Sequence, residues 1–184
     1  MKKVLIIVGI VMAFFCFTAV GEYNSFQTKS VAVDSSWSQV ENQMQRRADL
    51  IPNLVSTVKG FTTHEEKVVQ SVTDARAKMA SAQTPVEKDE ANTELNGALS
   101  RLMMVVENYP NIKADQHYSE LMSQLEGSEN RIAVARKNYN TKVQEYNTSI
   151  KTFPSVVFAN SFGFTERQLF TADESAKTAP KVEF

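Results

Sequence analysis

The chain contains 184 residues, enough for one ordinary domain with attachments and too few for two full-sized domains. Its 20 Lys and Arg nearly balance 21 Asp and Glu, so it lacks the broad positive charge on which non-specific nucleic-acid binding depends. A single Cys excludes an internal disulfide and multi-cysteine zinc sites, and six Gly and five Pro are too few turn formers for a β-sandwich. Composition therefore predicts long helices and no nucleic-acid partner.

The N-terminus carries a long apolar run. Met1-Lys2-Lys3 precedes residues 4–20, which contain no charged side chain. As a helix this run would span about 26 Å, close to the hydrocarbon thickness of a bilayer. The run predicts a single-pass membrane anchor over residues 1–21, with residues 4–20 in contact with lipid. Because Lys2 and Lys3 lie on the short side, we expect a cytoplasmic N-terminus and the bulk of the chain outside the cytoplasm.

A cleaved signal peptide is the alternative interpretation of the same run. Ala19-Val20-Gly21 resembles a signal-peptidase site, and cleavage near Gly21 would release a secreted protein. We favour the retained anchor, because a helical pattern resumes at Glu22 and leaves no unstructured region for cleavage.

Apolar residues repeat at helical spacing between the prolines. The longest run repeats every seven residues and predicts a long helix packed on another helix, as in a coiled coil. Its seam is Tyr118, Leu125, Ile132, Tyr139, Tyr146 and Phe153. We predict helices over about residues 22 to 59, 63 to 82, 86 to 108 and 112 to 152. The predicted fold class is all-α: an up-and-down four-helix bundle over residues 22–153, preceded by an N-terminal transmembrane helix.

The end of the first helix has two interpretations. Gly60 is typical of a helix stop, and residues 62–66 offer capping boxes for a new helix, which favours a turn at residues 60–62. A seven-residue register from Phe26 to Ala82 nevertheless passes through Pro52 and Gly60 in phase, as it would in three long helices with the first kinked at Pro52. We favour the turn, with Pro52 either kinking the first helix or breaking it near Asp49.

Charged residues occupy positions that the heptads reserve for the core. Arg47 lies on this face of the first helix, and Glu129 and Arg136 lie on that of the last. Antiparallel pairing puts Arg47 and Glu129 near the same level, and buried charges are costly unless paired, so we expect these two to meet. With the neighbouring Arg46, these residues form a predicted polar layer.

The polar layer has a structural and a functional interpretation. As a structural device it would fix the register of two long helices, with Gly127 allowing their backbones to approach closely. As a functional site it would be a polar pocket of an enzyme or of a ligand-binding accessory subunit. We favour the structural interpretation. The same pairing places Trp37 beside Tyr139 in an aromatic layer.

No motif in the chain points to catalysis. His64 and His117 lack the companion ligands of a zinc or di-iron helix, and there is no Gly-rich phosphate loop or nucleophile elbow. The acidic cluster Glu87, Asp89, Glu90 and Glu94 is interpreted as the solvated start of a helix. We therefore expect no enzymatic activity and no metal or cofactor.

Residues 154–184 form an apolar C-terminal segment. It is too apolar to remain a free tail in water. Docking on the bundle is the favoured interpretation, and a membrane surface or an envelope protein partner is the functional alternative. The residues that would form such a surface are Phe158, Phe162, Phe164 and Phe170.

A series of short motifs resembles the bacterial LemA family, in order and over nearly the whole chain. The motifs are Tyr23-Asn24-Ser25, Trp37-Ser38-Gln39-Val40, Gln45-Arg46-Arg47-Ala48-Asp49-Leu50-Ile51-Pro52-Asn53-Leu54-Val55, Val58-Lys59-Gly60-Phe61, Glu107-Asn108-Tyr109-Pro110, Leu125-Glu126-Gly127-Ser128-Glu129-Asn130-Arg131-Ile132-Ala133-Val134-Ala135-Arg136, Tyr139-Asn140 and Phe153-Pro154. The resemblance implies an N-terminal membrane anchor and a helical bundle, and it supplies no catalytic residues. The expected function is a scaffold or interaction protein of the bacterial cell envelope, anchored in the inner membrane.

Overall fold

A computed structural model describes residues 1–61 and 65–170. These residues form helices, turns and extended segments without any β-strand, which confirms the all-α prediction. The helices are α1 (Lys2–Lys59), α2 (Glu66–Ser81), α3 (Pro85–Val106), α4 (Pro110–Lys113), α5 (Gln116–Lys151) and α6 (Ser155–Phe162). The chain divides into two compact units, and α1 and α5 each contribute a stretch to both.

The first unit combines residues 1–39 with residues 137–168. Its core lies between the matching stretches of α1 and α5, and Ala159 of α6 is buried with them. The buried side chains follow the heptad positions of both helices and include Phe26, Val33, Tyr139, Val143, Tyr146 and Ile150. Phe153, the last residue of the predicted seam, is instead 80% exposed, because α5 ends at Lys151.

Among the described residues, the second unit comprises those between positions 40 and 136 together with Leu169 and Phe170. It packs the second half of α1 with α2, α3 and the first part of α5, which agrees with the predicted four-helix arrangement. Its fully buried side chains come from all four helices and include Val40, Met44, Ile51, Leu54, Val72, Met79, Leu95, Leu102 and Ile132.

Pro52 lies inside α1, which runs without a break through Asp49. The predicted break near Asp49 is therefore wrong. Proline has no N–H, so the carbonyl of Ala48, four residues earlier, has no helical donor. Arg76 of α2 takes this role, because its Nε donates to the Ala48 carbonyl oxygen at 2.9 Å. The hydrogen bond that proline removes is replaced from a neighbouring helix.

This replacement is testable by pairing two substitutions. We expect Arg76→Met to lower the free energy of unfolding by about 2 kcal/mol, because it leaves a partly buried carbonyl without a donor. In a Pro52→Ala background the alanine N–H satisfies the same carbonyl, so Arg76→Met should cost clearly less. The coupling is measured by chemical denaturation of the four proteins of the cycle, and equal costs in the two backgrounds would contradict it.

The first helix ends as the turn interpretation predicts. The N–H of Gly60 donates to the Ser56 carbonyl at 3.1 Å, and that of Phe61 donates to the Val58 carbonyl at 3.0 Å. Both residues lie in a turn, so the three-helix alternative with a continuous helix through Gly60 is wrong. Residues 62–64, with the predicted caps and His64, lie outside the described residues. Helix α2 begins at Glu66, three residues after the predicted start.

Helix α3 begins with a complete capping box. The Thr84 side chain accepts a hydrogen bond from the Glu87 backbone N–H, and the Glu87 side chain accepts from the backbone N–H groups of Gln83 and Thr84. These N–H donors hold the pKa of Glu87 below its ordinary value. The cap gives α2 and α3 a sharp connection, with Pro85 at the first helical position.

The last long helix begins later than predicted. Pro110 starts the single-turn helix α4, and α5 begins only at Gln116. Between them, the Asp115 carboxylate accepts a hydrogen bond from the Tyr118 backbone N–H at 2.9 Å, which is typical of a helix N-terminus. The predicted start at residue 112 treated α4 and α5 as one helix.

Candidate functional site

Arg47 lies at the centre of the second unit, where α1 presents its apolar face. Met44, Ala48 and Ile51 flank it and are all buried. Arg47 itself is 3% exposed, so its guanidinium occupies a position that the helical period assigns to the core. A charge at this position requires partners from the facing helices.

Two other helices supply these partners. The Arg47 Nη1 donates to the Asn92 Oδ1 at 2.6 Å and to the Glu129 carboxylate, with which Arg47 forms an ion pair. Its Nη2 donates to the Asn96 Oδ1 at 2.5 Å, and the Asn92 amide nitrogen donates to the Glu129 Oε1 at 3.3 Å. We call Arg47, Asn92, Asn96 and Glu129 the polar cluster. It connects α1, α3 and α5, and it confirms the predicted meeting of Arg47 and Glu129.

The electrostatics of the cluster explain why Glu129 is needed. Burial lowers the pKa of Arg47, since it removes water from the guanidinium, and the positive charge of Arg136 lowers it further. The carboxylate of Glu129 opposes both effects. A guanidinium stays protonated in proteins. Burying Arg47 is therefore unfavourable unless an anion neutralises its charge.

Arg136 forms a second ion pair in the same unit. Its Nη1 lies 2.6 Å from the Asp89 Oδ1, and about a fifth of each side chain is exposed. The guanidinium carbon also lies 5.0 Å from the centre of the Phe170 ring, within the range of a cation–π contact. The positive charges of Arg47 and Arg136 are therefore balanced by the carboxylates of Glu129 and Asp89.

Two parts of the sequence interpretation need correction here. Arg46 is exposed and does not belong to the buried layer, because it lies about 100° around the helix from Arg47. The sequence pattern places Asp89 in a solvated acidic cluster, but Asp89 is mostly buried in its pair with Arg136. Sequence reasoning also missed Asn92 and Asn96. Asn92 lies seven residues before the buried Leu99, so extending the apolar register of α3 backward would have placed it in the core.

Gly127 does not have its predicted role. A Cβ built at this glycine would meet only the Arg131 side chain of its own helix, at 3.5 Å or more, so no other helix approaches closely there. We expect Gly127→Ala to raise the free energy of unfolding by about 1 kcal/mol, because alanine removes the entropic cost of a glycine inside a helix. Chemical denaturation measures this, and a loss of stability would restore the close-approach interpretation.

The predicted aromatic layer of Trp37 and Tyr139 forms, and it lies in the first unit. The ring centres of Trp37 and Tyr139 are 5.4 Å apart. The Tyr139 hydroxyl donates to the Gln168 carbonyl oxygen at 2.9 Å, and burial raises the pKa of this phenol. This layer is an element of packing that also holds the returning C-terminal chain.

The four candidate phenylalanines of the C-terminal segment make different contacts. Phe158 lies 5.1 Å from Phe15, between ring centres, and Phe162 lies 5.3 Å from Tyr23. Phe164 packs between Tyr23 and Phe26 at 5.7 and 5.2 Å. Phe170 is 7% exposed and lies against Arg136 in the second unit. Phe164 and Phe170 therefore dock on the helices, whereas Phe162 remains 42% exposed.

A small cleft adjoins the polar cluster. It has a volume of about 260 Å³, and its apolar wall includes Leu99, Met103 and Leu125. Glu129, whose side chain is 37% exposed, reaches this cleft, whereas Arg47 is nearly enclosed. Among the described residues no group of three potential metal ligands occurs. The cluster holds the Arg47 guanidinium in place through its two terminal nitrogens, while the buried Arg47 Nε has no hydrogen-bond partner among the described residues.

The N-terminal part of α1 differs from the rest of the helix. Its apolar side chains are almost all exposed. Among the described residues, α1 is the one helix that is long and apolar enough to cross a membrane. An exposed apolar helix that continues into a packed helical bundle defines a membrane-associated helical protein.

The model of the LemA family matches residues 36–184. The chain belongs to the LemA family.

Individual relatives agree with this assignment. The chain is 28% identical to magnetosome protein MamQ 2 of Paramagnetospirillum magneticum, over 89% of this chain and 70% of that protein. It is 27% identical to magnetosome protein MamQ of Magnetospirillum gryphiswaldense, over 85% and 67% of the two chains. Protein LemA of Metamycoplasma hominis is 23% identical, over 87% and 74%. None of these names denotes a reaction.

Proposed function

We propose that this protein is a membrane-anchored helical scaffold or interaction protein of the bacterial cell envelope. Residues 4–20 span the inner membrane and contact its lipid, the N-terminus lies in the cytoplasm, and the bundle lies outside it. The anchor is retained rather than cleaved near Gly21. The protein acts by holding partners at the membrane and not by catalysis.

One observation carries the proposal. Helix α1 continues from its exposed apolar stretch into the bundle without a break, since it is helical from Lys2 to Lys59. Large apolar side chains between Val4 and Val20 are exposed by 49% or more, which in water would be strongly unfavourable. A bilayer covers such a stretch, and the same helix continues from it into the bundle.

The geometry of the polar cluster supports a non-enzymatic role. The guanidinium, the two amides and the carboxylate bond to one another across three helices. A catalytic group needs a free donor or acceptor directed at substrate, whereas both terminal nitrogens of Arg47 and both carboxylate oxygens of Glu129 are already bonded within the cluster. The cluster therefore serves to align the helices.

A ligand-binding accessory subunit is the second candidate. It is favoured by the cleft of about 260 Å³ beside Glu129, which has both apolar and polar walls. The volume lies below the roughly 300 to 1,000 Å³ of typical small-molecule pockets, so the scaffold remains the better proposal.

In-cell photocrosslinking tests the interaction role. A photoreactive amino acid would replace Val134 or Met104, exposed apolar residues of the second unit at 61% and 60%. We expect a discrete adduct with an envelope protein from at least one position. Asp74, exposed and polar on α2, is the matched control position and should give none. Adducts from neither apolar position would contradict a scaffold that acts through this unit.

A further inference from the structure

Helix α6 carries an apolar surface next to the membrane anchor. Its sequence, Ser-Val-Val-Phe-Ala-Asn-Ser-Phe, contains no charged residue. Only Ala159 is buried, whereas Val157 is 52% and Phe162 42% exposed, and Phe153 just before the helix is 80% exposed. Isolated exposed apolar residues are ordinary, but here several are adjacent on one short segment.

The contacts of α6 place it beside the membrane end of α1. The Phe158 ring lies 5.1 Å from that of Phe15, a residue within the apolar stretch 4–20. At the start of α6, the Ser155 hydroxyl donates to the Glu22 carboxylate at 3.0 Å. Glu22 is the first charged residue after the apolar stretch. Helix α6 therefore lies beside the end of the apolar stretch of α1.

The chain after α6 fixes this position. Gly163, with φ of 76°, reverses the chain direction, and the following residues run back along α1 and α5. Tyr146 donates its hydroxyl proton to the Thr165 carbonyl at 3.0 Å, and Asn147 and Arg167 exchange two hydrogen bonds at 2.8 and 2.9 Å. Hydrogen bonds at the start of α6 and after it therefore hold the helix with these apolar side chains exposed.

We propose that α6 is an interfacial helix that inserts Phe153 and Val157 into the lipid bilayer beside the transmembrane segment. The occupant is lipid, because the neighbouring surface, around Phe15, is the one that the bilayer covers. A helix that lies in the membrane interface buries its apolar side chains about 5 to 10 Å into the boundary between headgroups and acyl chains. This inference rests on the proposed membrane anchor, and it adds a second contact with the same membrane.

Fluorescence quenching by spin-labelled lipids tests the proposal in the full chain. The protein is reconstituted into vesicles of phosphatidylcholine and phosphatidylglycerol that carry a nitroxide either near the ester end or near the terminal methyl of the acyl chain. One sample is labelled at the natural Cys16. Two others combine Cys16→Ala with Val157→Cys or Ser35→Cys, the latter an exposed polar position farther along α1 and the matched control.

We expect the probe at Val157→Cys to be quenched at least about two-fold more strongly than that at Ser35→Cys, and most strongly by the shallow nitroxide. The Cys16 probe should be quenched by the deep nitroxide. Quenching at Cys16 with only the control level at position 157 would overturn the interfacial helix and leave the anchor intact. Blue-shifted emission at position 157 without lipid quenching would assign the surface to a protein contact and also overturn it. An unquenched Cys16 probe would refute the anchor itself.

Discussion

Replacing Glu129 with glutamine is expected to lower the free energy of unfolding by about 3 kcal/mol. The substitution keeps the size of the side chain but leaves Arg47, at 3% exposure, as a buried cation without its anion. This loss lies at the low end of the range for removing one partner of a buried ion pair. The reason is that the Glu129 side chain is 37% exposed, so water reaches this end of the cluster. Chemical denaturation followed by circular dichroism measures it.

The matched control is Glu145→Gln, which also removes one carboxylate from an ion pair. Lys142 and Glu145 are 2.9 Å apart, with 44% and 49% of their side chains exposed. Because exposed pairs contribute little, this substitution should cost less than about 0.5 kcal/mol. If the two substitutions lowered the free energy of unfolding by similar amounts, the buried pair of Arg47 would contribute no more than an exposed one. The structural interpretation of the cluster would then fail.

The Phe26→Ala substitution is expected to cost about 4 kcal/mol. Phe26 is completely buried in the first unit, and its ring centre lies 5.2 Å from that of Phe164 in the returning C-terminal chain. The substitution leaves a cavity and removes the contact that holds this segment against α1. Trp37 is the only tryptophan and belongs to the same unit, so its fluorescence during chemical denaturation reports the loss.

Val31→Ala is the control for this prediction. Val31 lies on the same helix but is 59% exposed, so its truncation should change the free energy of unfolding by no more than about 0.5 kcal/mol. A cost below about 1 kcal/mol for Phe26→Ala would mean that the docked C-terminal segment contributes little to the first unit.

The register of the two long helices could be predicted from the sequence, because the seven-residue repeat determines which side chains of each helix face the other. Arg47 pairs with Glu129, and Trp37 with Tyr139, and the residue numbers of both pairs add up to 176. The predicted end of the first helix near residue 60 and start of the last near residue 112 would instead give a sum of about 172. The difference arises because α4 stands apart and α5 begins at Gln116. Side-chain periodicity was thus a better guide to register than the position of Pro110.

Tertiary contacts between residues far apart in the sequence could not be predicted in this way. The hydrogen bond from Arg76 to the Ala48 carbonyl compensates Pro52, yet no local pattern joins positions 28 residues apart in sequence. The roles of the C-terminal phenylalanines likewise depend on the reversal at Gly163. Composition identified the segment as apolar, whereas only the fold separates docked Phe164 from exposed Phe162.

Cysteine accessibility in intact cells tests the central claim most directly. A Cys16→Ala, Ser35→Cys chain would be treated with a membrane-impermeant maleimide before or after lysis, and then separated into membrane and soluble fractions. We expect full-length protein in the membrane fraction, labelled at residue 35 to the same extent before lysis as after it. Protein found in the soluble fraction, or labelled only after lysis, would contradict a retained anchor with the bundle outside the cytoplasm.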